Sequence, residues 1–155
     1  PKLRPEHFEL RGLIGDCFES LKLETDGEFK VAWENKVDDG QMLYADREQL
    51  FRVITNLGRN AAEAGATNVQ VSAQGGGDAC HIMLADNGPG LPERAQESLY
   101  QPFKGSVRAG GTGLGLAIVR EIMRAHGGDV ELKETGGKGT LFCLVFPAPP
   151  EVKAA

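Results

Sequence analysis

Apolar residues recur at helical spacing over residues 8–23, where Phe8, Leu10, Leu13, Ile14, Cys17, Phe18 and Leu21 share one broad face. This predicts a first helix, weakened by Gly12 and Gly15. Residues 29–37 then alternate apolar and polar side chains, and the apolar run 42–45 follows an Asp38-Asp39-Gly40 turn signal, so two strands joined as a hairpin are expected. Asp46 is placed to cap a second helix, with Gln49 as its capping-box partner and Gly65 as its stop. At about 100° per residue, Leu50, Val53, Ile54, Leu57, Ala61 and Ala64 make one stripe of that helix. Asn56, Asn60 and Glu63 run along the border of the stripe, toward a cleft beside the core.

Residues 68–74 and 80–85 read as strands joined through Gly75-Gly76-Gly77-Asp78, a strong hairpin turn signal. Asp86-Asn87-Gly88-Pro89-Gly90 breaks the second strand sharply. An acidic short helix (92–100) follows, then a Gly/Ser/Arg-rich stretch (104–112) with little pattern of its own. Residues 114–126 form a helix with Leu116, Ile118, Val119, Ile122 and Met123 as its apolar face, and strands at 129–134 and 140–146 meet in a last hairpin through Gly136-Gly137-Lys138-Gly139. Strands joined mostly by tight turns, with helices between the hairpins, predict an α+β two-layer sandwich whose sheet is mixed, mostly antiparallel and covered on one face by helices. Residues 1–147 are expected to be one domain and 148–155 a tail or linker.

Composition narrows the picture. At 155 residues and 41% apolar content, the chain suits one domain with a real core. No apolar run approaches the roughly 18 residues of a membrane span, and the early residues carry charges throughout, so a cytoplasmic domain without direct membrane contact is expected. Cys17, Cys80 and Cys143 are odd in number and set among apolar neighbours, as reduced core residues would be. A net charge of −5 without a Lys/Arg cluster argues against a nucleic-acid surface. Glycine is the anomaly: 21 residues are about twice the usual ~7% share, gathered between the periodic segments.

Three features carry candidate chemistry. Gly111-Thr112-Gly113-Leu114-Gly115-Leu116 stands where a loop enters a helix, so backbone N–H groups can converge on a phosphate there. It lacks the lysine of a P-loop and follows no strand, so neither a Walker motif nor a dinucleotide fingerprint fits. Asp86 leaves a carboxylate at the mouth of the sheet, able to accept from the amino group of adenine or simply to close an Asx turn. Asn60 offers an amide oxygen that can complete an octahedral Mg²⁺ site of phosphates and water, or stand as a plain surface asparagine.

Taken together and in order, these motifs make the chain resemble the ATP-binding catalytic domain of bacterial sensor histidine kinases, a superfamily shared with DNA gyrase B, the ninety-kilodalton heat-shock chaperone and MutL. The N box is similar to Asn56-Leu57-Gly58-Arg59-Asn60-Ala61, the G1 box to Asp86-Asn87-Gly88-Pro89-Gly90, the F box to Pro102-Phe103, the G2 box to residues 111–116, and the G3 box to Gly137-Lys138-Gly139-Thr140. The resemblance implies a Bergerat-type sandwich that binds ATP and Mg²⁺. Asn56 lies in the asparagine helix and Asn60 would ligate the metal. Asp86, with Gly88 and Gly90 behind it, would bind the adenine amino group, and Thr140 would support adenine through water. Residues 91–112 would form an ATP lid anchored by Phe103. Gly111, Thr112, Gly113, Leu114, Gly115 and Leu116 would present N–H groups to phosphate, and Lys104 or Arg108 would add a contact to the γ-phosphate. Glu63 stands where many of these kinases carry a basic residue, which puts one phosphate contact in question.

Hydrolytic relatives carry a glutamate one turn before the metal asparagine, and here that position is Asn56, a poor general base. The expectation is therefore γ-phosphoryl transfer to a histidine on a dimerisation and phosphoacceptor domain, then to a response regulator. The alternatives are a hydrolytic ATPase or an interaction module that has lost nucleotide affinity. His7, His81 and His126 all read as structural or exposed rather than as the acceptor.

Overall fold

The computed structural model describes residues 2–25, 27–75, 79–100 and 115–150. Its elements run β1 (Glu6–Glu9), α1 (Leu10–Thr25), β2 (Ala32–Asn35), β3 (Met42–Ala45), α2 (Arg47–Ala64), β4 (Asn68–Gln74), β5 (Cys80–Asp86), α3 (Glu93–Tyr100), α4 (Leu116–Ala125), β6 (Asp129–Gly136) and β7 (Gly139–Phe146). Five strands form one sheet in the order β2-β4-β5-β7-β6, while β1 and β3 make a separate ribbon. Every pairing is antiparallel except β2 with β4. Helices α1, α2 and α4 pack in turn over one face, with α3 against α4, which is the two-layer α+β sandwich expected.

Alternation along the strands decides which face is covered. Val69 and Val71 of β4, Ile82 and Leu84 of β5, and Phe142, Leu144 and Phe146 of β7 are buried under the helices. Gln70, Ser72, His81, Met83, Glu131 and Lys133 occupy the other face, half-buried or exposed. From above, the core is closed by Leu10, Leu13, Ile14 and Leu21 of α1, Leu50, Val53 and Ile54 of α2, and Leu116, Val119 and Met123 of α4. Cys17, Cys80 and Cys143 are free and buried. Among the described residues no helix is long and apolar enough to cross a membrane.

Three expectations need correction. Residues 6–9 are strand β1, so the first helix begins at Leu10 rather than Phe8. A four-residue strand with one buried side chain, Phe8, is too short to display a period of its own. Residues 32–35 and 42–45 are both strands but do not pair. Around Asp38-Asp39-Gly40 the chain does turn, Gln41 N–H donating to the Asp38 carbonyl. Before it gets there, however, Arg11 donates to the carbonyls of Asn35 and Val37, and the Asn35 amide bonds back to Arg11 O and accepts from Val37 N–H. These bonds bend the chain away at the end of β2, which lies parallel to β4, and leave β3 to pair with β1.

The third correction concerns the start of α2. Asp46 caps it as expected, its Oδ1 accepting from Gln49 N–H at 3.1 Å, and Gly65 ends it by donating to the Ala61 and Ala62 carbonyls. The reciprocal half of the box is absent: Asp46 N–H donates at 3.0 Å to Nε2 of His126, eighty residues on, and not to Gln49. His126 is thereby held as the Nδ1–H tautomer, its other nitrogen giving to Ile122 O at 2.9 Å, with its ring edge-on to Phe146. Oδ2 of Asp46 accepts from Arg4 N–H at 2.9 Å. One aspartate thus joins the entering chain, the start of α2 and the end of α4.

Since a cap lost to alanine costs about 1–2 kcal/mol and a stranded buried donor about 1–3 kcal/mol, Asp46→Ala and His126→Leu should each destabilise by amounts in those ranges in urea unfolding. Gln49→Ala should stay within about 0.5 kcal/mol. A Gln49 effect as large as that of His126 would refute this account of the cap.

Candidate functional site

The cleft is built from the ends of three layers. On β5 the buried positions Ile82 and Leu84 are followed by Asp86, the next side chain on the covered face. In register it lies between Val69 of β4 and Thr140 of β7, and Thr140 in turn faces Thr135 of β6. Thr135 reaches this row because the β6–β7 ladder slips by one residue between Leu132 and Glu134. Val130 and Leu132 point to the covered side before the slip, and the odd-numbered Thr135 does so after it.

Asp86 closes the Asx turn, Oδ1 accepting from Gly88 N–H at 2.8 Å, and also lines the cleft. Burial raises its carboxyl above the usual aspartate range, opposed by the backbone amides of Gly88 and Thr140. Asn87 turns the opposite way and clamps the start of β4, accepting from the N–H groups of Thr67 and Asn68 at 2.8 and 2.9 Å. Gly90 holds φ at 96°, and a Cβ there would stand 2.6 Å from the Gly136 carbonyl oxygen. Only glycine lets this turn lie on the β6–β7 hairpin. There Leu91 N–H donates to Thr135 Oγ1 at 2.6 Å, and Thr135 Oγ1 is 2.9 Å from Thr140 Oγ1.

The other wall is α2. Leu57, Ala61 and Ala64 face a cavity of about 240 Å³ together with Asn60, Glu63, Asp86, Leu91, Leu116, Thr140 and Phe142. The lining is an apolar slot with oxygen acceptors at its floor and rim, sized for one planar ring system. Asn60 Nδ2 donates to Asn56 Oδ1 at 3.2 Å, which turns the Asn60 oxygen away from Asn56. Asn56 itself is not in the lining; its amide lies against Gly115, whose φ is 70° and where any Cβ would overlap it. That contact seats the start of α4 beside Asn60. Glu63 is exposed at the rim. Arg59 faces α1, paired through two hydrogen bonds with Glu24. A wider hollow of about 490 Å³ surrounds the β6–β7 turn from Glu134 to Leu141, but the carboxylate, amide and buried hydroxyl converge in the smaller slot.

Of the expected site residues, Asn60, Glu63, Asp86, Gly90, Leu116 and Thr140 line this cleft, whereas Asn56, Gly88 and Gly115 do not. Phe103, Lys104, Arg108, Gly111, Thr112, Gly113 and Leu114 lie outside the described residues. Part of the expected lid belongs to the core, since Ala95 and Leu99 of α3 are buried. Among the described residues no group of three or more His, Cys, Asp or Glu side chains could hold a metal.

Residues 45–150 match the family model described as histidine kinase-, DNA gyrase B- and HSP90-like ATPase. The chain belongs to this family, in its histidine-kinase branch. Over 132 residues the ATPase domain is 36% identical to nitrogen regulation protein NtrY of Azorhizobium caulinodans, covering 79% of this chain and 17% of that protein. The catalytic domain of histidine kinase ThkA superposes with a TM-score of 0.75 at 25% identity, covering 94% of this chain and 97% of that one. Full-length ShkA, solved in complex with AMPPNP, gives 0.77 at 26% identity, with 95% of this chain and 32% of that chain covered. The chain thus spans a minor part of NtrY and of full-length ShkA but nearly all of the ThkA catalytic domain.

Sequence reasoning missed Thr135, Asn87 and His126. Thr135 had a readable signal, because a tight turn through Gly136 to Gly139 makes it the cross-strand partner of Thr140. His126 had none, its partner being fixed only by how α4 crosses α2.

The raised Asp86 carboxyl has a consequence for stability. The folded domain holds the proton to higher pH than the unfolded chain does, so stability falls as pH rises through that window and the ionised group is a net cost at neutrality. Asp86→Asn, which keeps an acceptor for Gly88, should raise the thermal midpoint at pH 7, and the gain should vanish below about pH 4. A lower midpoint for the variant at pH 7 would contradict the burial argument.

Proposed function

We propose that this domain binds Mg-ATP and presents its γ-phosphoryl group to a histidine on a separate dimerisation and phosphoacceptor domain, from which a response regulator is charged. The observation that carries this reading is the slot itself: an ionisable carboxylate, Asp86, beside a buried hydroxyl, Thr140, facing Asn60 across apolar walls next to the start of a helix. Asp86 accepts from the adenine amino group while Leu57, Ala61 and Phe142 bury the ring. The Asn60 oxygen, oriented by Asn56, meets the Mg²⁺, whose role is to neutralise phosphate charge. The first N–H groups of α4, which no intrahelical carbonyl satisfies, face the phosphates, and Lys104 or Arg108 supplies the γ-phosphate contact. Glu63, an exposed carboxylate at the rim, disfavours a phosphate contact at its position. ShkA, solved with AMPPNP, supports the nucleotide assignment by likeness.

Two features favour transfer over hydrolysis. The residue one turn before Asn60 is Asn56, an amide that lacks the basicity to activate water. None of the three histidines lines the slot: His7 lies tilted against Tyr44, His81 lies near Cys143 on the uncovered face, and His126 accepts from Asp46 N–H. The nucleophile accordingly comes from another domain, and the role of this one is position and charge stabilisation.

Calorimetric titration of ATP with and without Mg²⁺ tests the reading. Binding should strengthen with the metal, Asp86→Asn should weaken it about 10–100-fold, as expected for a hydrogen bond to a charged group, and Asn60→Ala should abolish the metal dependence. Failure of the folded wild type to bind ATP, ADP or a stable analogue would replace the kinase by an interaction module. Robust turnover of ATP by the isolated domain would replace it by a hydrolase.

A further inference from the structure

The polar row across the sheet has a direction. Thr135 Oγ1 accepts the Leu91 N–H at 2.6 Å, and Leu91 is held there by the backbone packing of Gly90 on Gly136. A hydroxyl that accepts on one side is placed to donate on another, and the partner at 2.9 Å is Thr140 Oγ1. The opposite sense, Thr140 donating to Thr135, would aim the lone pairs of Thr140 into the cleft beside the Asp86 carboxylate, setting two acceptors side by side. A neighbouring carboxylate orients hydroxyl dipoles with their protons toward it, and a chain of such bonds is mutually reinforcing. The sense that satisfies every group is therefore Leu91 N–H to Thr135, Thr135 O–H to Thr140, and Thr140 O–H into the cleft.

We propose that Thr135 is a specificity-determining residue for the nucleotide base: it fixes the Thr140 hydroxyl as a donor next to the Asp86 acceptor, so that the pair reads a 6-amino purine and rejects a 6-oxo purine. This rests on the nucleotide reading above. The adenine edge offers an amino donor and, beside it, the ring nitrogen N1 as an acceptor, which complement Asp86 and Thr140 in that order. A 6-oxo purine reverses both groups, presenting a carbonyl to the carboxylate and an N1–H to the hydroxyl proton. A water between Thr140 and the base preserves the sense, since a water that accepts from Thr140 donates onward. Thr135 touches no base and acts through Thr140. It can do so only because the one-residue slip at Leu132/Glu134 turns it to the covered side.

The test is the ratio of affinities for ATP and inosine triphosphate, which share sugar, phosphates and metal and differ at the purine edge. The wild type should prefer ATP. Thr135→Val removes the hydroxyl that polarises Thr140, frees Thr140 to accept, and should contract the preference about fivefold. Thr135→Ser should restore it. Should valine unfold the hairpin, as circular dichroism would report, Thr135→Ala removes the same hydroxyl without bulk and carries the same expectation. An unchanged ratio in folded Val or Ala variants, or equal weakening of both nucleotides, would overturn the role of Thr135 while leaving the nucleotide site standing. A folded wild type that binds neither nucleotide would overturn both.

Discussion

The register of β5 against β7 is the constraint on which the cleft depends. Cys80 lies opposite Phe146, Ile82 opposite Leu144, Leu84 opposite Phe142 and Asp86 opposite Thr140. The hydrophobic pairs set the phase, because a slip of one residue would turn every core side chain to the uncovered face. Asp86 and Thr140 inherit that phase and arrive together under the helices, at the end of the sheet where the apolar ladder stops. The bulge in β6 adds Thr135 to the row by spending one unpaired residue. A site of oxygen atoms is thus positioned by a core of methyl groups.

The helical half is fixed against the sheet by a few polar ties as well as by packing. Asp46 joins α2 to α4 through His126, and Asn56 against Gly115 joins them again at the far end of α4. Between these ties the fully buried Leu116 and Met123 fill the space. Asn60, one turn beyond Asn56, is thereby held on a helix tied to α4 at its start and near its middle, and it faces Asp86 across the slot.

Much of this was legible in the sequence. Helix α2 announced its cap, its stop and, in Asn60 and Glu63, polar residues that line the cleft, and the antiparallel pairings of β4 with β5 and of β6 with β7 were also legible, although 76–78 lie outside the described residues. The glycine cluster at 88–90 marked a turn that lies directly on the β6–β7 hairpin, Gly90 against Gly136. What escaped was set by distant partners. The Asp38-Asp39-Gly40 turn is real, yet the strand before it was bent away by Arg11 and Asn35, an interaction that no local pattern encodes. β1 was hidden in the helical phase of Phe8. The stretch 93–100, which the resemblance assigned to the lid, contributes Ala95 and Leu99 to the core. Local chemistry is readable from spacing, whereas the choice between partners is made by the whole fold.

The three cysteines carry a consequence of their own. Burial pushes the Cys17 thiol up to about 12, and those of Cys80 and Cys143 upward as well. The nucleophile in thiol chemistry is the thiolate, and the folded domain withholds it three times over, by excluding solvent and by disfavouring the charge. Oxidants and alkylating reagents therefore meet sulfur only when the sandwich opens.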